Sequence, residues 1–479
     1  MKLTFWGAAQ QVTGSMFLLE TDDEYKILID CGFDMERERN KGQEVPQAFP
    51  GSVFPFDASL LNLVLLTHAH IDHSGNIPNL YREGYEGQVL CTSPTQDLTH
   101  LLLLDSAMIH KKKLSAMGKR NGRSKKKKGG DTERLTNEWY VDKHVSEAMD
   151  QFVGIAFNQR FKVMKGLEVI FNPAGHLLGA ANVVIYVKEN GVEKSIAFSG
   201  DIGRNNYPLL PNPHPLPQVD YVVCESTYGA RLHRPNVEIE TELEKIITET
   251  CIDMPGRLII PAFSIGRTQA LLYVFSKMAA KHNFPPIKVF SDSPLAMQST
   301  KTYIRYSRHL NAEAQAFLAS SESPFDFENL VYVEDLRTSK ALSNYRDPCI
   351  IISSSGMLEG GRIQHHIRSN LANPYCTILM IGYSSEGTLG RKLLDGNKSV
   401  EFGGKEFAVA AKIMYTDAFS GHGDQNDLLN FVRSQDKAKL KQLFITHGEP
   451  ASMQIFKGLL EAEGYANIEM PVKGQTYQL

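Results

Sequence analysis

The chain has 479 residues, more than one typical domain of roughly 100–200 residues, so two or three domains are expected. Hydrophobic residues make up 42% and charged residues 22%, a globular balance that excludes wholesale disorder and fibrous repeats. With 51 Lys and Arg against 54 Asp and Glu the net charge is only -3, so an anionic partner must be met by a local patch. The six cysteines, Cys31, Cys91, Cys224, Cys251, Cys349 and Cys376, form no C-x-x-C pair. Most sit beside apolar residues, which points to buried thiols in a reducing compartment and not to a disulfide framework or a thiolate zinc site. The first residues lack the apolar core of a signal peptide. No apolar run approaches the ~20 residues needed to span a bilayer. A soluble, cytoplasmic protein without membrane association is expected.

In chain order, short strands rich in Ile, Leu and Val alternate with helical patterns. Strands are predicted at Lys26–Ile29, Asn62–Leu66 and Leu167–Pro173. Ala181–Val187 and Glu193–Phe198 flank Glu189-Asn190-Gly191, a hairpin turn because Asn and Gly tolerate positive φ. Tyr221–Cys224, Arg257–Ile260, Ile287–Phe290, Cys349–Ile352, Thr377–Ile381 and Gln442–Ile445 are further strands. Helical spacing covers Glu238–Thr250, Arg267–Lys281, Gln425–Arg433 and Ser452–Glu463. The alternation predicts α/β layers. Pro208, Pro211, Pro213, Pro215 and Pro217 make 207–217 a joint that cannot be a helix or a central strand. A second joint is expected in the polar, glycine-rich stretch 397–405. Lys111–Lys128 holds ten Lys or Arg and no acid. It reads as a solvated loop, or as an electrostatic arm for a polyanion; the two are compatible.

The strongest motif is Thr67-His68-Ala69-His70-Ile71-Asp72-His73, directly after an apolar strand. Strand ends are where open α/β folds place ligands. Imidazole nitrogens and a carboxylate oxygen suit zinc. In an extended turn His68 and His70 point the same way and can share one ion, while Asp72 and His73 reach a second. Chance clustering accounts for such a pattern roughly once in a thousand sequences. Further ligands are expected at other strand ends: Asp30, His176, Asp201 in Phe198-Ser199-Gly200-Asp201, and His447 in Ile445-Thr446-His447-Gly448-Glu449.

Asp30, His68-x-His70-x-Asp72-His73, His176 and Asp201 resemble the four ordered motifs of the metallo-β-lactamase superfamily. Glu225-Ser226-Thr227-Tyr228-Gly229, Ser420-Gly421-His422-Gly423-Asp424 and His447-Gly448-Glu449 resemble motifs A, B and C of its β-CASP branch. That branch holds RNA-processing nucleases related to the cleavage and polyadenylation endonuclease and to ribonuclease J. The resemblance covers essentially the whole chain. It implies an α/β fold: an αββα metallo-β-lactamase sandwich formed by two chain segments, residues 1–229 and 411–479, with an α/β β-CASP domain inserted at 230–410. It leaves no room for an added C-terminal domain of the ribonuclease J kind, and no leading RNA-binding module is expected before Asp30.

Carried over residue by residue, the resemblance assigns His68, His70 and His176 to one zinc and Asp72, His73 and His447 to a second. Asp201 bridges the two Zn2+, and Asp30 supports a ligand histidine by hydrogen bond. The implied activity is metal-dependent hydrolysis of RNA phosphodiester bonds by a hydroxide that two metals activate. His422 is the acid for the leaving 3′-oxygen, oriented by Glu225, and the products carry 5′-phosphate and 3′-hydroxyl ends. A histidine in motif C accompanies RNA in this family, so single-stranded RNA is the expected partner. Endo- or exonuclease action stays open, as does the oligomeric state, with a homodimer one option. For the inserted domain, Ser353, Ser354, Ser355, Gly356 and Arg362 could cradle a phosphate at a helix start, and Arg267 could pair with phosphate. The plain alternatives are a glycine turn and an ordinary capped helix. Ser291-Asp292-Ser293-Pro294 reads as a helix start. Two other functions compete: hydrolysis of a small thioester or lactam, and a non-catalytic RNA-binding scaffold. The long insertion with His422 and His447 argues against the first, and the seven filled ligand positions against the second.

Overall fold

The computed structural model describes residues 1–35, 52–121, 138–234, 238–281, 284–320, 324–402 and 404–479. By contact the chain divides into two compact units. Met1–Asn205, Asn212–Leu232 and His422–Leu479 form the first; Asn206–Pro211 and His233–Gly421 form the second.

In the first unit two seven-stranded sheets meet face to face. One runs in the order Thr476–Gln478, Lys2–Phe5, Phe17–Glu20, Lys26–Ile29, Leu63–Leu65, Gln88–Thr92, Phe152–Ile155. The other runs Ile468–Glu469, Gln442–Thr446, Tyr221–Glu225, Val192–Phe198, Ala181–Glu189, Leu167–Pro173, Phe161–Met164. Alternate residues of each strand point inward, so Phe5, Phe17, Ile27 and Leu65 from one sheet share a core with Val169, Ile185, Phe198 and Phe444 from the other. The opposite face of the second sheet packs on Leu428 and Val432 of the helix Gln425–Val432 and on Phe456 and Leu460 of the helix Pro450–Ala462. Ile77, Leu80 and Ala148 from two helices cover the first sheet. Each sheet is thus sealed on both faces, which is the αββα layering expected from sequence. The last segment supplies central pairing: Gln442–Thr446 lies parallel to Tyr221–Glu225 in register Cys224↔Ile445.

The hairpin forms as expected, with Asn190 at φ 51° and Gly191 at φ 81° between Ala181–Glu189 and Val192–Phe198. All six cysteines are free and buried. Two expectations need correction. The stretch 397–405 is no joint: Ser399–Phe402 and Lys405–Ala408 pair as a small antiparallel hairpin, with Val400 and Phe402 buried. Lys111–Lys128 does not begin as a loop, because Ser93–Asn121 is one helix. Leu, Ala, Met and Lys are strong helix formers, so a cationic run need not unwind. Residues 122–128 lie outside the described residues.

The second unit holds a six-stranded parallel sheet in the order Leu330–Tyr332, Lys288–Asp292, Cys349–Ser353, Arg257–Pro261, Cys376–Met380, Lys412–Tyr415. Asp292 ends one of these strands and is far more than a helix start. Its carboxylate accepts from Arg362 Nη1 at 2.8 Å, His366 Nε2 at 2.6 Å and Ser339 Oγ at 2.5 Å, and it is fully buried. Burial works to raise its pKa, but these donors outweigh burial and hold it below the ordinary value. The contribution to stability is therefore full above the unfolded value of about 3.9 and is lost as pH falls through the lower folded value. Asp292→Ala should cost about 3–5 kcal/mol in denaturant unfolding, because it leaves the buried His366 imidazole and the part-buried Arg362 guanidinium without their shared carboxylate. A loss near 1 kcal/mol, the worth of one ordinary hydrogen bond, would show that the network is dispensable.

Candidate metal centre

Four loops at strand ends of the first unit carry the site. His68 and His70 follow Leu63–Leu65, and His70 precedes a single turn, Ile71–Ser74, that carries Asp72 and His73. His176 follows Leu167–Pro173, Asp201 follows Val192–Phe198, and His447 follows Gln442–Thr446. Gly200, at φ 55°, packs against Thr67, where an added Cβ would lie 2.8 Å from the threonine Cβ. That close approach brings Asp201 to the histidine loop. Asp30 and His447 also sit at positive φ, 57° and 50°, a strain that non-glycine residues accept mainly where the surroundings over-determine them.

The structure brings the seven residues together in two groups whose ligand atoms lie within 4.8 Å of one another: His68, His70, His176 and Asp201; and Asp72, His73 and His447. His70 Nδ1 faces both His68 Nε2 and His176 Nε2 at 3.1 Å. His73 Nε2 and His447 Nε2 are 3.2 Å apart. Asp201 stands between the groups. Its Oδ2 is 3.5 Å from His68 and 3.4 Å from His176; its Oδ1 is 3.2 Å from His73 and 3.5 Å from His447. Oδ1 is buried and has no hydrogen-bonded partner among the described residues, although two imidazoles face it.

The electrostatics divide along the same line. Burial holds His68 well below the ordinary histidine value and His70 at about 4, so both offer lone pairs at neutral pH. Burial also pulls on His73 and His447, but the carboxylates prevail: Asp201 and Asp30 raise His73, and Asp201 with Asp72 raises His447. Burial would raise Asp201 and Asp72. The imidazoles of His447, His73 and His68 outweigh it at Asp201, and the His447 hydrogen bond outweighs it at Asp72, which drops to about 2. Converging imidazole nitrogens and anionic oxygens, one of them without a donor, fit divalent cations chemically. Among the described residues this donor set could hold two ions.

Around this set lies a fixed frame. Asp30 accepts from Thr67 N and Thr67 Oγ1, both at 2.8 Å, and pairs with His73 Nδ1 at 2.7 Å. Thr227 Oγ1 lies 3.0 Å from His447 Nδ1. At the rim, His422 Nδ1 is 3.4 Å from Glu225 Oε1, and His422 Nε2 is 3.9 Å from Asp201 Oδ2. Glu225 is buried and already accepts from the backbone of Ile202 and Thr227, which fixes its carboxylate. The His422 side chain is 17% exposed, as is that of Asp72, while His68, His73, His176, His447 and Asp201 are buried. Sequence reasoning missed Thr67 and Thr227, though both lie inside motifs it singled out. It also missed Ser15, whose Oγ is 3.4 Å from His73 Nε2, and the group Asp292, His365 and His366.

The other phosphate residues lie in the second unit. Ser353 donates to the Asp292 carbonyl and is buried. Ser354 Oγ and Ser264 Oγ lie 3.2 and 3.0 Å from Ser293 Oγ, a cluster of hydroxyls at strand ends. Gly356 packs against Phe263, and Arg267 lies over the same ring at 4.8 Å. The strand ends at Ser353 and the helix begins at Ile363 with Arg362 at its N-cap, so 354–361 is the loop between strand and helix, as expected. Arg362 is committed elsewhere: besides Asp292 it donates to the carbonyls of Val333 and Glu334.

Three family models match consecutive stretches: a metallo-β-lactamase superfamily domain at 18–197, a Beta-Casp domain at 268–393, and a Zn-dependent metallo-hydrolase RNA specificity domain at 406–471. The chain is 31% identical over 464 residues to Ribonuclease TTHA0252 of Thermus thermophilus, covering 97% of each. It is 28% identical to an RNase J-like protein of Methanocaldococcus jannaschii, covering 93% of this chain and 92% of that one. It is 27% identical to transcription termination factor FttA of Methanosarcina mazei, covering 98% of this chain and 71% of that one.

Asp30→Asn should lower metal affinity about 10–100-fold, the usual effect of removing a hydrogen-bond partner of a ligand histidine. Metal retained after dialysis against a graded chelator measures this. Unchanged retention would mean that Asp30 only supports the backbone of Thr67.

Proposed function

Because the chain belongs to the β-CASP family of the metallo-β-lactamase superfamily, a family of metal-dependent hydrolases, we propose that it is a zinc ribonuclease. It hydrolyses phosphodiester bonds of single-stranded RNA and leaves 5′-phosphate and 3′-hydroxyl ends. The observation that carries this reading is the two-sided donor set around Asp201 with the His422–Glu225 pair at its rim. The names of the relatives, a ribonuclease and an RNase J-like protein, agree with it.

In this reading His68, His70 and His176 would hold one zinc and Asp72, His73 and His447 the other, with Asp201 serving both groups. Zinc held there would supply Lewis acidity and acidify a water to near-neutral pH. Asp30 and Thr227 hold the rings of His73 and His447 in place from behind. The attacking oxygen takes the phosphorus in line, and the bond to the 3′-oxygen breaks. His422 gives its proton to that leaving oxygen. Glu225, fixed by two backbone N–H groups, orients the imidazole. In the second unit the hydroxyls of Ser264, Ser293 and Ser354 with Arg267 are the groups suited to a phosphate further along the strand; Ser353 and Arg362 support that loop.

His422→Ala should keep the metals and slow cleavage by about 10²–10⁴-fold. An RNA with a better 3′ leaving group should recover much of the loss. Equal slowness on both substrates would give His422 another role, such as binding phosphate. RNA labelled at either end, with 5′-phosphate or 5′-hydroxyl, tests the reading itself. New 5′-phosphate ends are expected, and thioester hydrolysis without RNA cleavage would sink it. The basic run from Lys111 supplies a second test. Changing its Lys and Arg to Ser should weaken binding uniformly across sequences. It should also flatten the salt dependence by about 0.7 slope units for each single-strand phosphate that the run neutralises. Parallel salt plots of equal affinity would make the run a solvated surface only.

A further inference from the structure

An aromatic ladder runs from the metal loop across His110 of the helix Ser93–Asn121 to Trp139. Phe33 and His110 have ring centroids 6.0 Å apart at 34°, and His110 stacks on Trp139 at 6.1 Å and 13°. Tyr140 meets His110 edge-on at 4.8 Å from within the core. The near end is tied to the metal loop. Phe33 N–H donates to the carbonyl of Ile71 at 2.9 Å, and Cys31 N–H donates to that of His73 at 2.7 Å. Between them Gly32 packs so closely that an added Cβ would lie 1.7 Å from the Asp72 carbonyl oxygen. The far end carries charge: Lys113 Nζ lies 5.7 Å from the Trp139 centroid, and Lys111, Lys112 and Lys113 are exposed.

Burial differs along the ladder. Tyr140 is fully buried and His110 is 7% exposed, whereas Phe33 and Trp139 are only partly buried. His110 Nδ1 is buried without a hydrogen-bond partner among the described residues. Burial first, and Lys113 next, hold the pKa of His110 to about 4, so the middle rung is an uncharged ring at neutral pH. Partly buried aromatic residues beside exposed lysines, leading from the metal loop, form the kind of arrangement that holds single strands: bases stack on rings and cations follow the phosphates.

We propose that Phe33, His110 and Trp139 form a stacking platform that holds an unpaired base of the RNA strand beside the metal loop. The inference rests on the ribonuclease reading above and names a substrate subsite for it. The competing use is purely internal, with Trp139 as a lid on His110 and a cation–π seat for Lys113.

Trp6 and Trp139 are the two tryptophans of the chain, so in a Trp6→Phe variant the indole emission reports on Trp139 alone. That variant is titrated with a phosphorothioate-linked single-stranded RNA that resists cleavage. Saturable quenching is expected, and an abasic strand of the same length should give none. In steady-state cleavage, Trp139→Ala should raise KM about 5–150-fold with little change in kcat, the range measured for one stacked base. Trp139→Phe, which keeps a ring, should recover most of that loss and guards against a misfolded alanine variant. RNA cleavage with an unchanged KM in Trp139→Ala, or with no quenching, overturns the platform and leaves the ribonuclease reading standing. Quenching by RNA that the wild type cannot cleave upholds the platform and overturns the reaction. Neither quenching nor cleavage overturns both.

Discussion

Burying five imidazoles and two carboxylates in one place is the constraint that organises the first unit. His68, His73, His176, His447 and Asp201 are each at most 5% exposed, and several of their polar atoms face one another at 3.1–3.5 Å. Such a cluster cannot be stabilised by its own protons alone, because neutral imidazoles each carry one donor and one acceptor. The carboxylates partly compensate, and they do so unevenly. His73 and His447 are raised by their acid neighbours while His68 and His70 are depressed by burial. A polar knot of this kind demands counter-charge, and the fold places it at the strand ends of two packed sheets, where backbone pairing fixes each loop at its root.

The outer groups make the same point at longer range. Thr67 spends both its backbone N–H and its hydroxyl on Asp30, which in turn fixes the His73 ring. Thr227 lies against His447 and comes from the loop that Glu225 starts. Glu225 and Thr446 are paired in parallel register, so Glu225 and the loop that carries His447 leave adjacent strands at the same level. Chain segments more than two hundred residues apart therefore meet with the precision of a ladder. Removing the final segment would remove His422, His447 and a central strand together.

Much of this was legible in the sequence. The histidine motif, Asp30, His176, Asp201, His447 and His422 stood directly after apolar strands or inside motifs with family order, and runs rich in Ile, Leu and Val located the strands. What sequence could not give were contacts across long separations. Ser15 beside His73 follows no local pattern, since its role arises only when the first loop folds over the turn that carries Asp72. Asp292 looked like a helix start because Ser293 does cap the helix Pro294–Arg305; its bonds to Arg362, His366 and Ser339 come from 47 to 74 residues away. Arg362 looked free to meet phosphate for the same reason. The cationic run looked like a loop because charge patterning reports solvation and leaves backbone conformation undecided.

Water, delivered in line at the phosphorus, is the nucleophile of the proposed reaction. Cleavage of RNA in ¹⁸O-enriched water, followed by mass spectrometry of both new ends, tests this most directly. One heavy oxygen should enter each new 5′-phosphate, and the 3′-hydroxyl end should carry none. A 2′,3′-cyclic phosphate, or label confined to a 3′-phosphate, would mean attack by the neighbouring 2′-hydroxyl or cleavage on the other side of the phosphorus, and would contradict the account.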